Sequence, residues 1–172
     1  MQSEERSRPP LPSPVAGADA SEPMSDDLLT PEDKRALYHA GLAHGANHLV
    51  TLVTQAMDLL RASGAHDPAA TLRPLLTAAL DNALSYGDAA LTGPIVRGDV
   101  NTVRAHLADI AENAPSTLGS YVAMARATAN RAVLDGRLLP IRAAKIVGVL
   151  NEALLSAGSV SGDLRSSAGP DA

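Results

Sequence analysis

The strongest constraint on the fold is the spacing of apolar residues, which follows a helical period from residue 30 to residue 155. Apolar side chains recur as on one face of an amphipathic helix, and no segment shows the strict alternation of a strand bounded by turns. The chain also lacks Phe, Trp and Cys, so its core has to be built from Leu, Val, Ile and Ala. We therefore predict an all-α fold, a compact bundle of about five helices with one long N-terminal helix.

The first helix has clear start and stop signals. Thr30 is a suitable N-cap, Pro31 suits the first helical position, and Glu32 places negative charge where the helix dipole favours it. Apolar residues continue to Leu60, and Gly64 suits the C-terminal end. A helix of about 30 residues is roughly 45 Å long and needs neighbours along its whole length. A single short domain covers such a helix poorly, so we predict a homodimer.

Four further helices follow in the sequence. Their caps or first residues are Asp67, Asp99, Ser116 and Pro140. The second helix extends to about Tyr86, and Pro74 predicts a kink or a restart within it, because proline lacks the N–H that the helix needs. The fourth is closed by Gly136.

The two ends of the chain differ from this helical part. Residues 1–31 hold six of the 12 prolines, and Ser, Ala, Gly and acidic residues separate them. Such segments bury too little apolar area to offset the entropy of ordering. We predict disordered tails at residues 1–29 and 156–172, with the helical domain at residues 30–155.

Charge and composition exclude several functional classes. The chain has 14 basic and 19 acidic residues, a net charge of -5, whereas a nucleic-acid binder usually carries a basic face. No apolar stretch has the length of a signal peptide or a membrane span. We therefore expect a cytoplasmic protein that binds neither nucleic acid nor membrane. No phosphate-cradling loop and no Gly-x-Gly-x-x-Gly fingerprint of a dinucleotide-binding domain occurs in the sequence.

The first helix carries several polar candidates. His44 and His48 share a face and could hold a metal, but no acidic third ligand stands at matching spacing, so we expect no metal site. His39 and Asn47 lie within roughly 80° on the helix wheel. They could present hydrogen bonds to a substrate, or form a polar interface with another subunit. Asn82 on the second helix could have a buried partner or lie on an exposed face.

A glycine-rich segment, residues 87–99, interrupts the helical pattern; we call it the glycine loop. Its backbone shape is set by residues with unusual conformational preferences, together with the cap of the next helix. These structural residues are Gly93, Pro94, Gly98 and Asp99. Arg97 could clamp a carboxylate or phosphate, and Thr92 could add a hydroxyl. The alternative is that Arg97 forms a structural salt bridge.

These motifs together resemble a known family. The segments that carry the likeness are Tyr38-His39-Ala40, Gly45-Ala46-Asn47-His48-Leu49-Val50, Asn82, Leu91-Thr92-Gly93-Pro94-Ile95-Val96-Arg97-Gly98-Asp99 and His106. They resemble the C-terminal helical domain of the Rossmann-like and DUF2520 domain-containing proteins, over about residues 35–139.

The resemblance implies a function. Members of that family pair an NADP-binding Rossmann domain with this helical domain and are similar to pyrroline-5-carboxylate reductases, ketopantoate reductases and 6-phosphogluconate dehydrogenases. In those relatives the helical domain forms the dimer and closes the substrate side of the cleft. The resemblance makes candidate substrate-binding residues of His39, Asn47, Asn82, Thr92, Arg97 and His106.

The missing glycine fingerprint shapes the functional hypotheses. We expect no cofactor site in these residues, with NADP implied for the full-length family only, and no catalytic residue can be assigned. The leading hypothesis is a dimerisation and substrate-side domain that lacks the Rossmann domain and is not catalytic alone. One alternative is the substrate-binding subunit of a split NADP-dependent oxidoreductase, completed by a Rossmann-domain partner. Another is a helical interaction protein without a small-molecule site.

Overall fold

The computed structural model describes residues 32–166. Within that range it contains five long α-helices, one four-residue helix and no strand, which confirms the predicted fold class. The helices are α1 (Arg35–Ala62), α2 (Pro68–Tyr86), α3 (Pro94–Arg97), α4 (Val100–Asn113), α5 (Pro115–Leu134) and α6 (Pro140–Ser166). Short 3-10 turns precede α1 at Glu32–Lys34 and follow α2 at Gly87–Ala90.

The chain divides into two units, Met1–His44 and Gly45–Ala172. The described part of the first unit is the 3-10 turn and the start of α1, and its described side chains are all exposed. The second unit contains the rest of α1 and all later helices. None of the residues of α1 is buried.

The core of the second unit lies between α4, α5 and α6. Its main cluster contains nine buried residues: Val103, Leu107, Ile110, Leu118, Val122, Ala125, Ile146, Val149 and Leu150. The largest fully buried side chains are Ile146, Leu150, Val103 and Val122, so the fully buried part of this core is aliphatic, as the composition predicts. A second cluster joins Val96 of α3 to Ala129 and Ala132 of α5 and to Leu138. The small alanines let the glycine loop approach α5 closely.

Local signals position the helix ends as the sequence predicts. The carboxylate of Asp67 accepts the N–H of Ala70 at 2.9 Å, and Asp99 accepts the N–H of Thr102 at 3.1 Å. Each bond satisfies one of the N–H groups that a helix start leaves without a partner. α2 continues through Pro74, so the restart predicted as one of two outcomes does not occur, while the kink stays a prediction. Pro74 lies on an exposed face, where water can satisfy the carbonyl that has lost its helical donor.

The glycine loop is more ordered than a plain connection. Gly87, Gly93 and Gly98 all have positive φ, at 56°, 95° and 67°, a region that costs glycine little. Between the last two, α3 forms a single helical turn. The side chain of Arg137, beyond α5, holds the start of the loop. Its guanidinium donates to the carbonyl oxygens of Ala89 at 3.2 Å and Leu91 at 2.7 Å, and also to that of Asp88.

The last helix extends further than the sequence pattern predicts. The folded part does not stop at Leu155, because α6 continues to Ser166. Ala153 and Ala157 pack against the main core cluster, so tertiary contacts carry the helix into a Ser- and Gly-rich segment. The predicted tail at residues 1–29, the cap Thr30, Pro31 and the tail residues after Ser166 lie outside the described residues. No helix in the described range has the length and apolar character needed to cross a membrane.

Candidate functional site

A cleft of about 700 Å³ opens where the end of α1 meets α4 and α5. We call it the His–Tyr cleft. The side chains around it come from all three helices and from the turn after α1: Leu59, Leu60, Ala62, Ser63, His106, Asp109, Ile110, Asn113 and Tyr121. Its volume falls in the range of small-molecule sites, which combine an apolar wall with a few polar groups. The cleft lies entirely within the second unit.

α1 is held at this place by two contacts with the bundle. Ser120 of α5 donates its hydroxyl to the side-chain oxygen of Gln55 at 2.8 Å. One turn further along α1, Leu59 packs against the main core cluster. These contacts fix the end of α1 as one wall of the His–Tyr cleft.

The polar centre of the cleft is a pair formed by His106 and Tyr121. Nδ1 of His106 lies 3.0 Å from the phenolic oxygen of Tyr121. The two rings meet edge to face, with centroids 6.2 Å apart and an interplanar angle of 82°. His106 is exposed on α4, whereas Tyr121 is half-buried beside the buried Val122. The pair therefore joins a solvent-facing imidazole to a phenol anchored in the core.

Burial favours the protonated form of Tyr121. Desolvation raises the pKa of Tyr121 above its ordinary value of 10.0, so the phenol stays protonated at neutral pH. A protonated phenol can donate to Nδ1 of a neutral imidazole, which places the imidazole proton on Nε2. In that tautomer the Nε2–H group of His106 is a hydrogen-bond donor that does not bind Tyr121. A ligand with a carbonyl or carboxylate oxygen matches such a donor.

Two further polar residues of α4 stand near His106. Asp109 and Asn113 follow it by three and seven residues, so all three lie on one side of the helix. The side-chain amide of Asn113 donates to the backbone carbonyl of Asp109 at 3.0 Å. The cleft thus combines an imidazole, a phenol, a carboxylate and an amide beside the apolar Ile110. This set can orient a small polar ligand by hydrogen bonds and can exchange a proton with it.

The six candidates from the sequence are distributed over the molecule. His106 lines the His–Tyr cleft, and Arg97 lines a different cavity of about 530 Å³. Asn47 on α1, Asn82 on α2 and Thr92 in the glycine loop are exposed. His39 is exposed on the part of α1 that belongs to the first unit. Within the single chain His106 and Arg97 are not brought into one cavity.

The sequence reasoning missed Asp109, Asn113 and Tyr121. The first two had a usable signal, since they repeat the face of His106 along α4. Tyr121 had none, because its pairing with His106 depends on how α4 packs against α5. It also missed Arg137 and Arg142, which share the second cavity with Arg97.

Among the side chains that the structure describes, no three His, Asp or Glu come together in a group that could hold a metal ion. His44 and His48 lie on either side of the division between the two units, both on α1.

Fold and cleft together define an all-α domain with a polar cavity of small-molecule size. The chain belongs to the family described as "Domain of unknown function (DUF2520)", whose model matches residues 20–128. This match confirms the resemblance to the DUF2520 domain, while the Rossmann-like context of that resemblance stays a prediction. The matched range includes both His106 and Tyr121. No curated protein and no solved structure gives a significant match to the chain.

Proposed function

We propose that this protein is the dimerisation and substrate-side domain of an NADP-dependent reductase-like assembly, acting together with a nucleotide-binding domain and not catalytic by itself. The observation that carries the proposal is that α1 and α2 bear large apolar side chains with almost no burial. Only Pro68 is buried on α2, and no residue is buried on α1. The resemblance stated above supplies the expected role of such a domain.

The exposed apolar surface is large enough to support a dimer. Six Leu or Val side chains on the parts of α1 and α2 that lie in the second unit expose 40% to 79% of their area: Leu49, Val50, Leu52, Leu75, Leu80 and Leu84. Burying the exposed half of each contributes about 1 kcal/mol, or about 12 kcal/mol for two protomers. Association itself costs about 4–15 kcal/mol. Pairing these helices with those of a second copy therefore offsets the cost of association over most of that range.

The dimer is tested by placing a charge in this surface. Val50 is 67% exposed and Leu84 is 79% exposed, so a glutamate at either position is tolerated by the single chain. In an interface the same carboxylate has to be desolvated. We expect Val50→Glu/Leu84→Glu to give a monomer at micromolar concentration by light scattering, while the unaltered chain gives a dimer. The matched control is Leu134→Glu, at an 86% exposed position outside α1 and α2, which should remain dimeric.

A single-chain mass for the unaltered protein contradicts the dimer. An equal effect of the Leu134→Glu control would show that the result reflects added charge and not these two helices. Circular dichroism of both variants establishes that the helices are retained.

The substrate-side role depends on the His–Tyr cleft. It is the larger of the two cavities described above, and it carries both a donor and acceptors beside apolar walls. We expect the 172-residue chain alone to bind no NADPH in a fluorescence titration. Micromolar binding of NADPH to the isolated chain would refute the division of labour between a helical and a nucleotide-binding domain.

Two alternatives make different predictions. If a separate Rossmann-domain chain completes a split oxidoreductase, adding that chain should restore NADPH binding and a ligand-dependent rate. If the protein is a helical interaction module without a small-molecule site, His106→Ala should leave every ligand-induced shift in melting temperature unchanged. The polar cleft around His106 favours the substrate-side reading over the second alternative.

A further inference from the structure

Three arginine side chains line a second cavity, which is separate from the His–Tyr cleft. The cavity has a volume of about 530 Å³, and its walls are Val96, Arg97, Arg137, Leu138, Leu139 and Arg142. We call it the arginine pocket. The polar side chains among these described wall residues are all arginines. Three arginines at one cavity are unexpected in a chain of net charge -5, even though one of them, Arg137, is paired with Asp135.

The three arginines differ in the hydrogen bonds and ion pairs that their guanidinium groups make. The Nε of Arg137 lies 2.5 Å from a carboxylate oxygen of Asp135, and its terminal nitrogens donate to carbonyl oxygens of the glycine loop. In contrast, the guanidinium groups of Arg97 and Arg142 make no hydrogen bond or ion pair with the described residues. Arg137 therefore acts as a structural brace. The guanidinium N–H groups of Arg97 and Arg142 remain able to bind a ligand.

The acidic residue closest in sequence forms no ion pair with Arg97. Asp99 accepts both the N–H of Thr102 at 3.1 Å and its hydroxyl at 2.7 Å. That carboxylate caps α4, and its bonds to Thr102 lower its pKa most, with a smaller lowering from the charge of Arg97. The fork of Arg97 remains available for another oxyanion.

The backbone holds Arg142 in place against the glycine loop. A Cβ added to Gly98 would lie 3.1 Å from both Cβ and Cδ of Arg142 and 3.3 Å from a methyl group of Leu138. Gly98 also has a φ of 67°. The loop can therefore pack its bare backbone against the alkyl stem of Arg142, next to Arg97. This arrangement brings guanidinium groups from α3 and from α6 to the same cavity.

From this geometry we propose that the arginine pocket binds the phosphate or carboxylate group of a small anionic ligand. Guanidinium groups match both oxyanions by paired N–H donors, which a lysine cannot do. The buried Val96 and Leu138 lie beside them, whereas Arg97 and Arg142 are themselves exposed, so the match of paired donors carries the proposal and the attraction is screened by water. The cavity is small and the rest of the chain is acidic, so a small ligand fits better than a polyanion. The proposal concerns the single chain and does not depend on the dimer or on an NADP-binding partner.

The test is a titration of the full chain, followed by the arginine Nε–Hε signals in nitrogen-15 NMR. One arm uses inorganic phosphate and the other uses succinate, both at constant ionic strength, to separate a phosphate ligand from a carboxylate ligand. We expect saturable shifts of the Arg97 and Arg142 signals with at least one of the two anions. Arg97→Gln and Arg142→Gln should each weaken the affinity tenfold or more. The matched control is Arg73→Gln, an exposed arginine of α2 outside the pocket, which should leave the affinity unchanged.

A positioning variant separates a shaped pocket from diffuse charge. Gly98→Ala keeps every arginine but displaces the stem of Arg142, so it should weaken the affinity threefold or more in protein that still melts cooperatively. Linear shifts that affect all arginines alike, or equal losses in Arg73→Gln and Arg142→Gln, would overturn the proposal. An unchanged affinity in Arg142→Gln would overturn it as well.

Discussion

The brace formed by Arg137 allows a prediction whose size can be worked from the structure. Its guanidinium donates to three backbone carbonyl groups in the first half of the glycine loop, those of Asp88, Ala89 and Leu91. A hydrogen bond from a charged donor contributes about 1.5–3 kcal/mol when it is protected. One third of the Arg137 side chain is exposed, at 33%, so we take about 1 kcal/mol for each carbonyl. The side chain of Asp135 is exposed to a similar degree, so its ion pair with Arg137 adds less than about 1 kcal/mol.

Arg137→Met, which keeps the length of the stem and removes the donors, is therefore expected to lower the free energy of unfolding by about 2–3 kcal/mol. The measurement is urea unfolding followed by circular dichroism at one fixed protein concentration, since a dimer makes stability depend on concentration. The control is Arg61→Met. Arg61 pairs with Asp58 on α1, and both side chains are more than half exposed, at 56% and 55%, so the loss should be at most about 0.5 kcal/mol.

Hydrogen exchange locates the effect of the Arg137 substitution. The N–H of Leu91 donates to the carbonyl of Asp88 at 3.0 Å, and that of Arg97 donates to Gly93 at 3.2 Å. If Arg137 holds the loop, both amides should exchange at least tenfold faster in Arg137→Met than in Arg61→Met. The exchange rate of the amide of the buried Val122 should rise only as far as the loss of global stability predicts. Unfolding free energies equal within about 0.5 kcal/mol for the two variants, with unchanged exchange in the loop, would refute the brace.

Three further predictions test the core and the titratable groups. Leu150→Ala should lower the free energy of unfolding by about 3 kcal/mol, because Leu150 is fully buried. The control Leu134→Ala, at an 86% exposed position, should change it by less than about 0.5 kcal/mol. Equal losses for the two variants in urea unfolding would contradict the assigned core. The pKa of Asp99 is lowered from 3.8 chiefly by its bonds to Thr102, so its contribution is present above pH 3.8 and is lost as pH falls through the lower folded value, and Asp99→Asn should flatten the acid limb of the stability curve. The pKa of Tyr121 is raised from 10.0 by burial, so its contribution is present below pH 10.0 and is lost as pH rises through the higher folded value; absorbance at 295 nm should show a late titration step that Tyr121→Phe abolishes.

Local chemistry made much of the fold predictable. The caps Asp67 and Asp99 each accept an N–H three residues further along the chain. Proline after a cap and glycine at a turn set the φ angle of their own residue. Such effects need no knowledge of the rest of the chain, which is why the helix starts and the positive-φ glycines were found. The course of α2 at Pro74 and of α6 at Leu155 has a different origin. Exposure lets α2 continue through Pro74, and packing on the core carries α6 beyond Leu155, and both depend on neighbours in space.

The candidate sites divide in the same way. Spacing along one helix relates His106 to Asp109 and Asn113, because a helix repeats its face at fixed intervals. It says nothing of Tyr121, which reaches His106 from another helix fifteen residues away. Nor does it relate Arg97 to Arg142, which share a pocket only because the glycine loop lies against α6.

The amino-acid sequence is enough to predict that the chain is helical, that its core is mainly aliphatic and that glycine shapes the backbone of residues 87–99. These properties follow from periodicity and from the conformational range of single residues. The packing of the helices adds that polar groups gather in two cavities, the His–Tyr cleft and the arginine pocket, and that α1 and α2 keep exposed apolar side chains. The physical reason is that a cavity, a hydrogen bond between helices or an uncovered face depends on which surfaces pack together, and sequence spacing does not specify that packing.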